Sequence, residues 1–419
     1  MTGRDNGTTP HPFVIGIASM PYGCFNGLVT VALPYVLRGD GIPVSHIATI
    51  AAVVQIPAIW YFLWAPIVDV RLRRRTWIVV LSVMSAVCAG IAIGRSASHV
   101  RWLTTLLIAA SVFNQPVSSA IGGLVASMVP NELRGRTGGW SQAGMLGGGV
   151  LAGGVAIWLT GRAPPAIRGL VAMFLIATPA LAALAVQEPS PSTQPIGAHV
   201  AAMARDVWAA LHRRDVRLGL LFFLSPIGAG ALMNLFSAVA PEFHASAGFV
   251  MIVVVIGGVL TPSGAILGGI ICDRFDRWRV YPIAGLTAAA SAGAMLLAPL
   301  TPATYLAGAA AYALSTGFCY AAFMSLAFEL VGSKTAASGT RFTIFMAAVN
   351  VPVAYMLRLD GWGNARGGVH GMLAVDALSN AIFGIIFLVG VLAWRHPARA
   401  SPSDRARAMS DALDPDRVR

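Results

Sequence analysis

The stretch Trp60-Tyr-Phe-Leu-Trp-Ala-Pro-Ile-Val-Asp69 ends a long apolar run. The second half of the chain contains a counterpart, Gly269-Ile-Ile-Cys-Asp273, at the end of another apolar run. In both copies a small residue precedes the aspartate by four positions, and arginines follow at plus four and plus six, namely Arg73 and Arg75, then Arg277 and Arg279. Each copy lies about a third of the way through its half, which predicts a duplicated bundle of membrane helices.

The composition supports a membrane environment. Hydrophobic residues make up 56% of the chain, charged residues only 11%, and the mean hydropathy is +0.72. A soluble domain carries about a quarter charged residues. The net charge of +12 does not indicate nucleic-acid binding, because the basic residues lie between apolar segments. The four cysteines have neither disulfide nor metal-site spacing, and no metal or cofactor is expected.

Twelve apolar segments are long enough to cross a bilayer as helices. They predict an all-α integral membrane protein with two pseudo-symmetric six-helix bundles. The predicted segments are residues 12–37, 46–68, 76–94, 102–129, 138–160, 168–187, 218–240, 247–272, 280–299, 303–330, 338–358 and 370–394.

The distribution of arginine predicts the topology. Basic residues concentrate in one set of connections, including residues 71–75, 205–217 and 274–279, and the positive-inside rule places these connections and both termini in the cytoplasm. We expect a first bundle at 1–187, a linker with a surface helix at 188–217, a second bundle at 218–394 and a disordered tail at 395–419.

The chain resembles the major facilitator superfamily, since the repeated loop follows the second and eighth segments as that family's signature loop does. The early stretches Pro21-Tyr-Gly-Cys-Phe-Asn-Gly-Leu28, Leu33-Pro-Tyr-Val-Leu-Arg38 and Phe62-Leu-Trp-Ala-Pro66 are similar to the AmpG-like branch. That branch includes muropeptide permeases and siderophore permeases of the RhtX and FptX type. The first loop departs from the family pattern at Val70, where arginine is usual.

The resemblance implies that Asp69 and Asp273 latch the two halves together on the cytoplasmic side. A carboxylate at the carboxyl end of a helix opposes the helix dipole and needs positive charge nearby. We expect this charge from Arg73, Arg75, Arg277 and Arg279, or from a neighbouring helix N-terminus. Arg71 and Arg74 are interpreted as topology signals.

The resemblance also implies that the first, fourth, seventh and tenth segments line a central cavity. Amides near mid-span are candidate substrate ligands, with interhelical hydrogen bonding as the alternative. The candidate substrate-binding residues are Tyr22, Asn26, Asn114, Gln115, Asn234, Tyr320 and Asn350. An aromatic, nearly uncharged cavity suits a flat or amphipathic organic solute.

Ionisable groups inside the spans are candidate proton carriers. Asp376 is the most isolated acid, although Arg358 or Arg366 could reach it. Glu329 and Arg341 either pair with each other or take part in proton coupling.

These features predict a monomeric, multi-pass secondary transporter of a bacterial inner membrane rather than an enzyme, because no converging catalytic cluster or phosphate loop is found. We expect proton-coupled import of a siderophore or a similar amphipathic solute by alternating access. A muropeptide permease, an efflux protein and a ligand sensor without translocation are the alternatives.

Overall fold

The computed structural model describes residues 9–33, 36–37, 50, 53–58, 60–69, 72–95, 100–188, 196–332 and 338–394. All regular secondary structure in these ranges is helical. The predicted tail at 395–419 and the topology arginine Arg71 lie outside the described residues.

The first half contains five long helices. They are α1 (Pro12–Gly27, continued by a π-helical turn at Leu28–Ala32), α2 (Arg74–Gly94), α3 (Val100–Met128), α4 (Arg134–Leu159) and α5 (Pro165–Ala180). The predicted second segment is helical at residues 53–58 and continues as 3-10 turns at Tyr61–Leu63 and Ala65–Asp69, which bring the first aspartate of the repeat to the bundle end.

The second half follows a linker helix, α6 (Ile196–His212). Its helices are α7 (Arg214–Phe223), the short α8 (Phe236–Val239), α9 (Ala247–Arg274), α10 (Arg277–Leu297), α11 (Pro302–Val331) and α12 (Ser338–Trp394). Gly367 and Gly368 interrupt α12, and Gly368 has a φ of 57°. The element therefore consists of two arms, one before and one after this bend.

The observed helices agree with the predicted membrane architecture. Among the described residues, nine helices are long and apolar enough to cross a membrane, and the longest of them, within Ser338–Ala393, contains both arms of α12. The two remaining predicted segments are the second, which is described only in part, and the seventh, which is not one continuous helix.

The seventh segment, predicted as one helix at 218–240, is broken, so that prediction is wrong. After α7 the chain passes through Pro226, Gly228 and Gly230, and both glycines have positive φ values of 66° and 65°. A proline without an N–H and two left-handed glycines cannot continue an α-helix. Regular structure resumes as a 3-10 turn at Ala231–Asn234 and then as α8.

Polar side chains from other helices satisfy the opened backbone. Asn380 Oδ1 accepts a hydrogen bond from the Gly228 N–H at 3.0 Å. The hydroxyls of Tyr281 and Tyr355 donate to the carbonyls of Ile227 and Leu224 at 3.2 and 2.9 Å. Buried backbone groups must be paired, so these side chains stabilise the break as a defined feature of the fold.

Candidate functional site

Asp69 joins the first half of the chain to the start of α12. Its carboxylate accepts hydrogen bonds from the backbone N–H groups of Gly339 and Thr340 at 3.2 and 2.9 Å, and from the Thr340 hydroxyl at 3.1 Å. The Asp69 side chain is fully buried. A carboxylate at a helix N-terminus is favourable because free N–H groups and the helix dipole both point towards it.

Asp273 makes the reciprocal contact from the second half to the start of α4. It accepts hydrogen bonds from the backbone N–H groups of Gly135 and Arg136 at 2.6 and 2.9 Å. Each copy of the repeat therefore caps a helix of the other half. We call these two contacts the interdomain latches, and the end of the molecule where they lie the motif end.

Glycines permit a close approach of the two halves at both latches. At the second latch, a Cβ added to Gly269 would lie 2.6 Å from the carbonyl oxygen of Gly135 and 3.0 Å from Cα of Gly139. At the first latch, a Cβ on Gly339 would lie 3.0 Å from Asp69 Oδ1. The halves meet backbone to backbone at the motif end, which only residues without bulky side chains allow.

The arginines of the first loop are arranged differently from the prediction. Arg74, which was interpreted as a topology signal, forms an ion pair with Asp69 at 2.8 Å, so that interpretation is wrong. Arg74 also lies 3.6 Å from Glu188. Arg75 instead donates to the carbonyl of Val186 at 2.8 Å, and its backbone N–H donates to Glu188 at 3.1 Å. Arg73 occupies the N-cap position of α2.

In the second loop, Arg277 is the central cation. It lies 3.7 Å from Asp273 and 3.1 Å from Glu329, and it donates to the side chain of Asn131 at 2.9 Å and to its carbonyl. Arg279 pairs instead with Asp276 at 3.6 Å.

The alternative in which Glu329 pairs with Arg341 is wrong. Glu329 accepts hydrogen bonds from Arg277 and from the indole N–H of Trp278 at 3.1 and 3.2 Å, which place it in the second latch. Arg341 donates to the carbonyls of Val331 and Asp206 at 3.2 and 2.9 Å. It therefore anchors the linker helix α6 to the start of α12.

Two further residues of the latch region were not identified from the sequence. Arg134 is buried and donates to the carbonyl of Phe328 in the other half at 3.0 Å. Glu188, at the end of the first half, has a raised pKa because burial opposes its charge, and the Arg75 N–H and the Arg74 charge offset only part of this effect. In the sequence, Arg134 is one of several arginines in the connections between apolar segments and Glu188 directly precedes Pro189, so neither residue differs from those of ordinary connections.

Two adjoining cavities of about 360 and 370 Å³ lie between the halves. Four predicted ligands, Tyr22, Asn26, Tyr320 and Asn350, line the first cavity, and Tyr320 also borders the second. None of the described residues that line these cavities is charged. Volumes of this size are typical of sites for small organic ligands.

Two other predicted ligands, Asn114 and Gln115, do not line either cavity. Asn114 and Gln115 are buried, and Asn114 donates to the carbonyl of Tyr22 at 3.3 Å, behind the wall formed by α1. Asn234 ends a 3-10 turn, and its side chain lies outside the described part of the chain.

The cavity wall also includes groups that were not predicted as ligands. Gln142 of α4 contributes an amide, and Gly228 and Ala229 of the broken segment contribute backbone. An unwound stretch exposes carbonyl groups that a substrate can use as hydrogen-bond acceptors. Sequence reasoning missed this stretch because the apolar run around it resembles a continuous helix.

Asp376 is fully buried and accepts a hydrogen bond from the hydroxyl of Tyr312 at 3.0 Å. Arg358 and Arg366, which were considered as its partners, are exposed, and Arg366 lies over the ring of Trp362 at 4.1 Å.

Comparisons with known proteins agree with this architecture. The family model described as Major Facilitator Superfamily matches residues 15–355. The anhydromuropeptide permease of Escherichia coli K12 is 27% identical over 321 residues, and so is that of strain O157:H7. These alignments cover 73% of this chain, which spans 64% of the length of either relative.

Solved structures show the same fold at low sequence identity. A crystal structure of the E. coli fucose:proton symporter has a TM-score of 0.66 at 16% identity, and the alignment covers 90% of this chain and 97% of the symporter chain. The human organic anion transporter MFSD10 gives a TM-score of 0.66 at 14% identity, with 90% and 98% covered. With a family model that spans most of its length, the chain belongs to the Major Facilitator Superfamily, a family of transporters and not of enzymes.

Proposed function

We propose that this secondary transporter imports an amphipathic organic solute across a bacterial inner membrane by alternating access, driven by protons, and that it acts as a monomer. The observation that carries the proposal is the cavity between the halves. Amides, aromatic rings and opened backbone line it, and none of its described lining residues is charged. Such a lining favours a solute that binds through hydrogen bonds and stacking over a small ion.

The latches support alternating access. They join the two halves at one end of the cavity through helix caps and ion pairs, which can break and reform as the halves rock. Because basic loops cluster at the motif end, we assign this end and both termini to the cytoplasm. The structure then corresponds to a state that is latched on the cytoplasmic side.

The first candidate substrate is a muropeptide of the kind named for the E. coli relatives. A sugar–peptide solute combines many hydrogen-bonding groups with apolar faces, as the cavity lining requires. A ferric siderophore is the second candidate, because Tyr22, Tyr320 and Phe323 offer aromatic surface to a ligand with aromatic rings.

The proposal is tested by measuring uptake of radiolabelled anhydromuropeptide into cells that lack their own permease and express this chain. Ferric siderophores are supplied in parallel. We expect accumulation of one of them that collapses when a protonophore is added. Absence of accumulation for both would contradict the proposed substrate class, and accumulation that survives the protonophore would contradict proton drive.

A matched pair of glutamine variants tests the position of the site. Gln142→Ala removes an amide from the cavity wall, whereas Gln115→Ala removes a buried amide outside the lining. Loss of one hydrogen bond to a substrate weakens apparent affinity by about 3- to 10-fold. We expect this effect for Gln142→Ala only, with equal expression of both variants. An effect of Gln115→Ala alone would place the site elsewhere.

A further inference from the structure

Two buried aspartates approach each other across the bend of α12. Asp360 belongs to the first arm and Asp376 to the second, and both are completely inaccessible to solvent. The arms cross closely, since a Cβ on Gly363 would lie 2.6 Å from the carbonyl oxygen of Gly371 and 2.8 Å from a methyl group of Val375. Asp360 lies about one turn before Gly363, and Asp376 directly follows Val375, so this crossing places the two aspartates on facing turns of the two arms.

The pair has few partners. The hydroxyl of Tyr312, on α11, donates to one oxygen of Asp376. The other oxygen of Asp376 and both oxygens of Asp360 accept no hydrogen bond from any described residue. The ion pairs found in the described ranges include neither aspartate.

Among the residues that the structure describes, no cation forms an ion pair with either aspartate. The Cys319 thiol of α11 is buried nearby and adds no positive charge. Glu242 accepts a hydrogen bond from the Val369 N–H at 3.0 Å, at the start of the second arm. The basic groups on α12 around the bend are all exposed, namely Arg358, Arg366 and His370.

Ionisation of both buried aspartates in this apolar interior is strongly unfavourable. Burial disfavours the charged form of each, and mutual repulsion disfavours the doubly charged pair. Binding of one proton removes most of this cost, because it leaves at most one charge on the pair.

We propose that Asp360 and Asp376 form a site that binds one proton and that couples this proton to rearrangement of α11 and α12 during transport. This role rests on the proposed proton-driven function. The site is separate from the cavity lining, but Tyr312 connects it to α11, which carries Tyr320 into the cavity two turns further on. Release of the proton leaves two charges that only water can stabilise, so deprotonation favours opening of the arms.

The first test needs no substrate. Infrared spectra of the purified full chain in phospholipid nanodiscs are recorded from about pH 5 to about pH 9, a range in which exposed carboxyl groups are ionised. We expect a protonated-carboxyl band that shifts in D2O and persists well above pH 5. Asp360→Asn and Asp376→Asn should each lower its midpoint by about one pH unit or more, because each removes the repulsion.

The double variant Asp360→Asn with Asp376→Asn should lose the part of the band that the single variants shift, while other buried carboxyl groups such as Glu188 keep theirs. Asp215→Asn, at an exposed ion pair of the linker, should leave the whole band unchanged. Absence of the band in the parent chain, or a band in the double variant equal to that of the parent, would overturn the site. A band that added sodium ions remove at constant pH would overturn its assignment to a proton.

The second test addresses coupling. In proteoliposomes that contain anhydromuropeptide, Asp360→Asn should keep exchange of labelled for unlabelled solute and lose accumulation driven by a pH gradient. Undiminished accumulation would overturn coupling. If the parent chain moves no anhydromuropeptide while the infrared band behaves as expected, the proposed substrate fails and the proton site stands.

Discussion

Arg74 illustrates how helix phase decides the partner of a single side chain. Three consecutive arginines, at positions 73–75, lie shortly after Asp69, and each places a positive charge in the same region. α2 begins at Arg74, so the direction of each side chain depends on where that helix starts. Arg74 reaches Asp69 and Glu188, whereas Arg75 points to the end of the first half. The spacing of the motif does not contain this information.

Glu188 should give the latch region a measurable pH dependence. Its pKa in the folded chain lies above its ordinary value of 4.5, because burial favours the neutral form. Its contribution to stability is therefore fully present below pH 4.5 and is lost as the pH rises through the raised pKa. We expect Glu188→Gln, which stays neutral, to gain thermal stability relative to the parent chain across this window and to level off above it. Melting curves in detergent from acid to neutral pH measure the difference, and a constant difference contradicts the prediction.

Asp273 should control access to its neighbour in the sequence. Cys272 is buried beside the second latch. Asp273→Asn weakens two charge-assisted hydrogen bonds, and one such bond contributes about 1.5–3 kcal/mol. We expect N-ethylmaleimide to label Cys272 about 10-fold to 100-fold faster in this variant. Mass spectrometry of the labelled peptides also reports on the buried Cys24 and Cys319 as internal references.

The matched control is Asp215→Asn, which removes an exposed ion pair with Arg213 within the linker region. It should leave labelling of Cys272 unchanged. Faster labelling of all three buried cysteines in Asp273→Asn would indicate general unfolding and would contradict a local latch.

Helix α4 packs closely against α9, and its glycines differ in what they touch. A Cβ on Gly139 would clash with the carbonyl oxygen of Ala265 and lie 3.0 Å from Cα of Gly269, both on α9. A Cβ on Gly154 would meet nothing within 4 Å. The sequence shows a stripe of glycines, but only the structure separates those at the interface of the halves from those that face open space.

Gly139→Leu should therefore open the motif end, while Gly154→Leu should not. The larger side chain at 139 must push α9 away, and the latch at Asp273 depends on that approach. We expect faster Cys272 labelling and a lower melting temperature for Gly139→Leu only. Equal behaviour of the two variants would contradict the assigned packing.

The break after α7 offers a second pair of glycines. Gly228 and Gly161 both have positive φ, 66° and 80°, but a Cβ on Gly228 would clash with Cys319, whereas Gly161 has open space. Alanine at either position costs about 1–2 kcal/mol for the left-handed backbone. Gly228→Ala adds the clash, so we expect a larger fall in melting temperature and impaired uptake, whereas Gly161→Ala should lower the melting temperature slightly. A fall for Gly161→Ala as large as that for Gly228→Ala would contradict the argument.

The sequence predicts the architecture of the whole molecule well, but it predicts the details of the site poorly. Membrane segments, the duplication and the family follow from long apolar runs and a repeated motif, which depend on composition and order alone. The break after α7 depends on hydrogen bonds from Asn380, Tyr281 and Tyr355 to the opened backbone. These are contacts between residues far apart in the sequence, which a local pattern does not predict. Asp360 was placed in a loop because the eleventh segment was predicted to end at residue 358, but the first arm of α12 continues to the bend at Gly367.

Two latches that join the same two bodies make a quantitative prediction for the whole chain. If each half moves as a rigid bundle, opening the motif end breaks the Asp69 and Asp273 contacts in a single event. The two sites have separate partners, so their free-energy effects should add. The increase in the Cys272 labelling rate for the double variant Asp69→Asn with Asp273→Asn should then equal the product of the two single increases.

The matched double variant, Asp69→Asn with Asp215→Asn, should label at the rate of Asp69→Asn alone. If Asp69→Asn leaves the labelling of Cys272 unchanged, the latches open independently, and rigid rocking of the two halves is wrong for this protein.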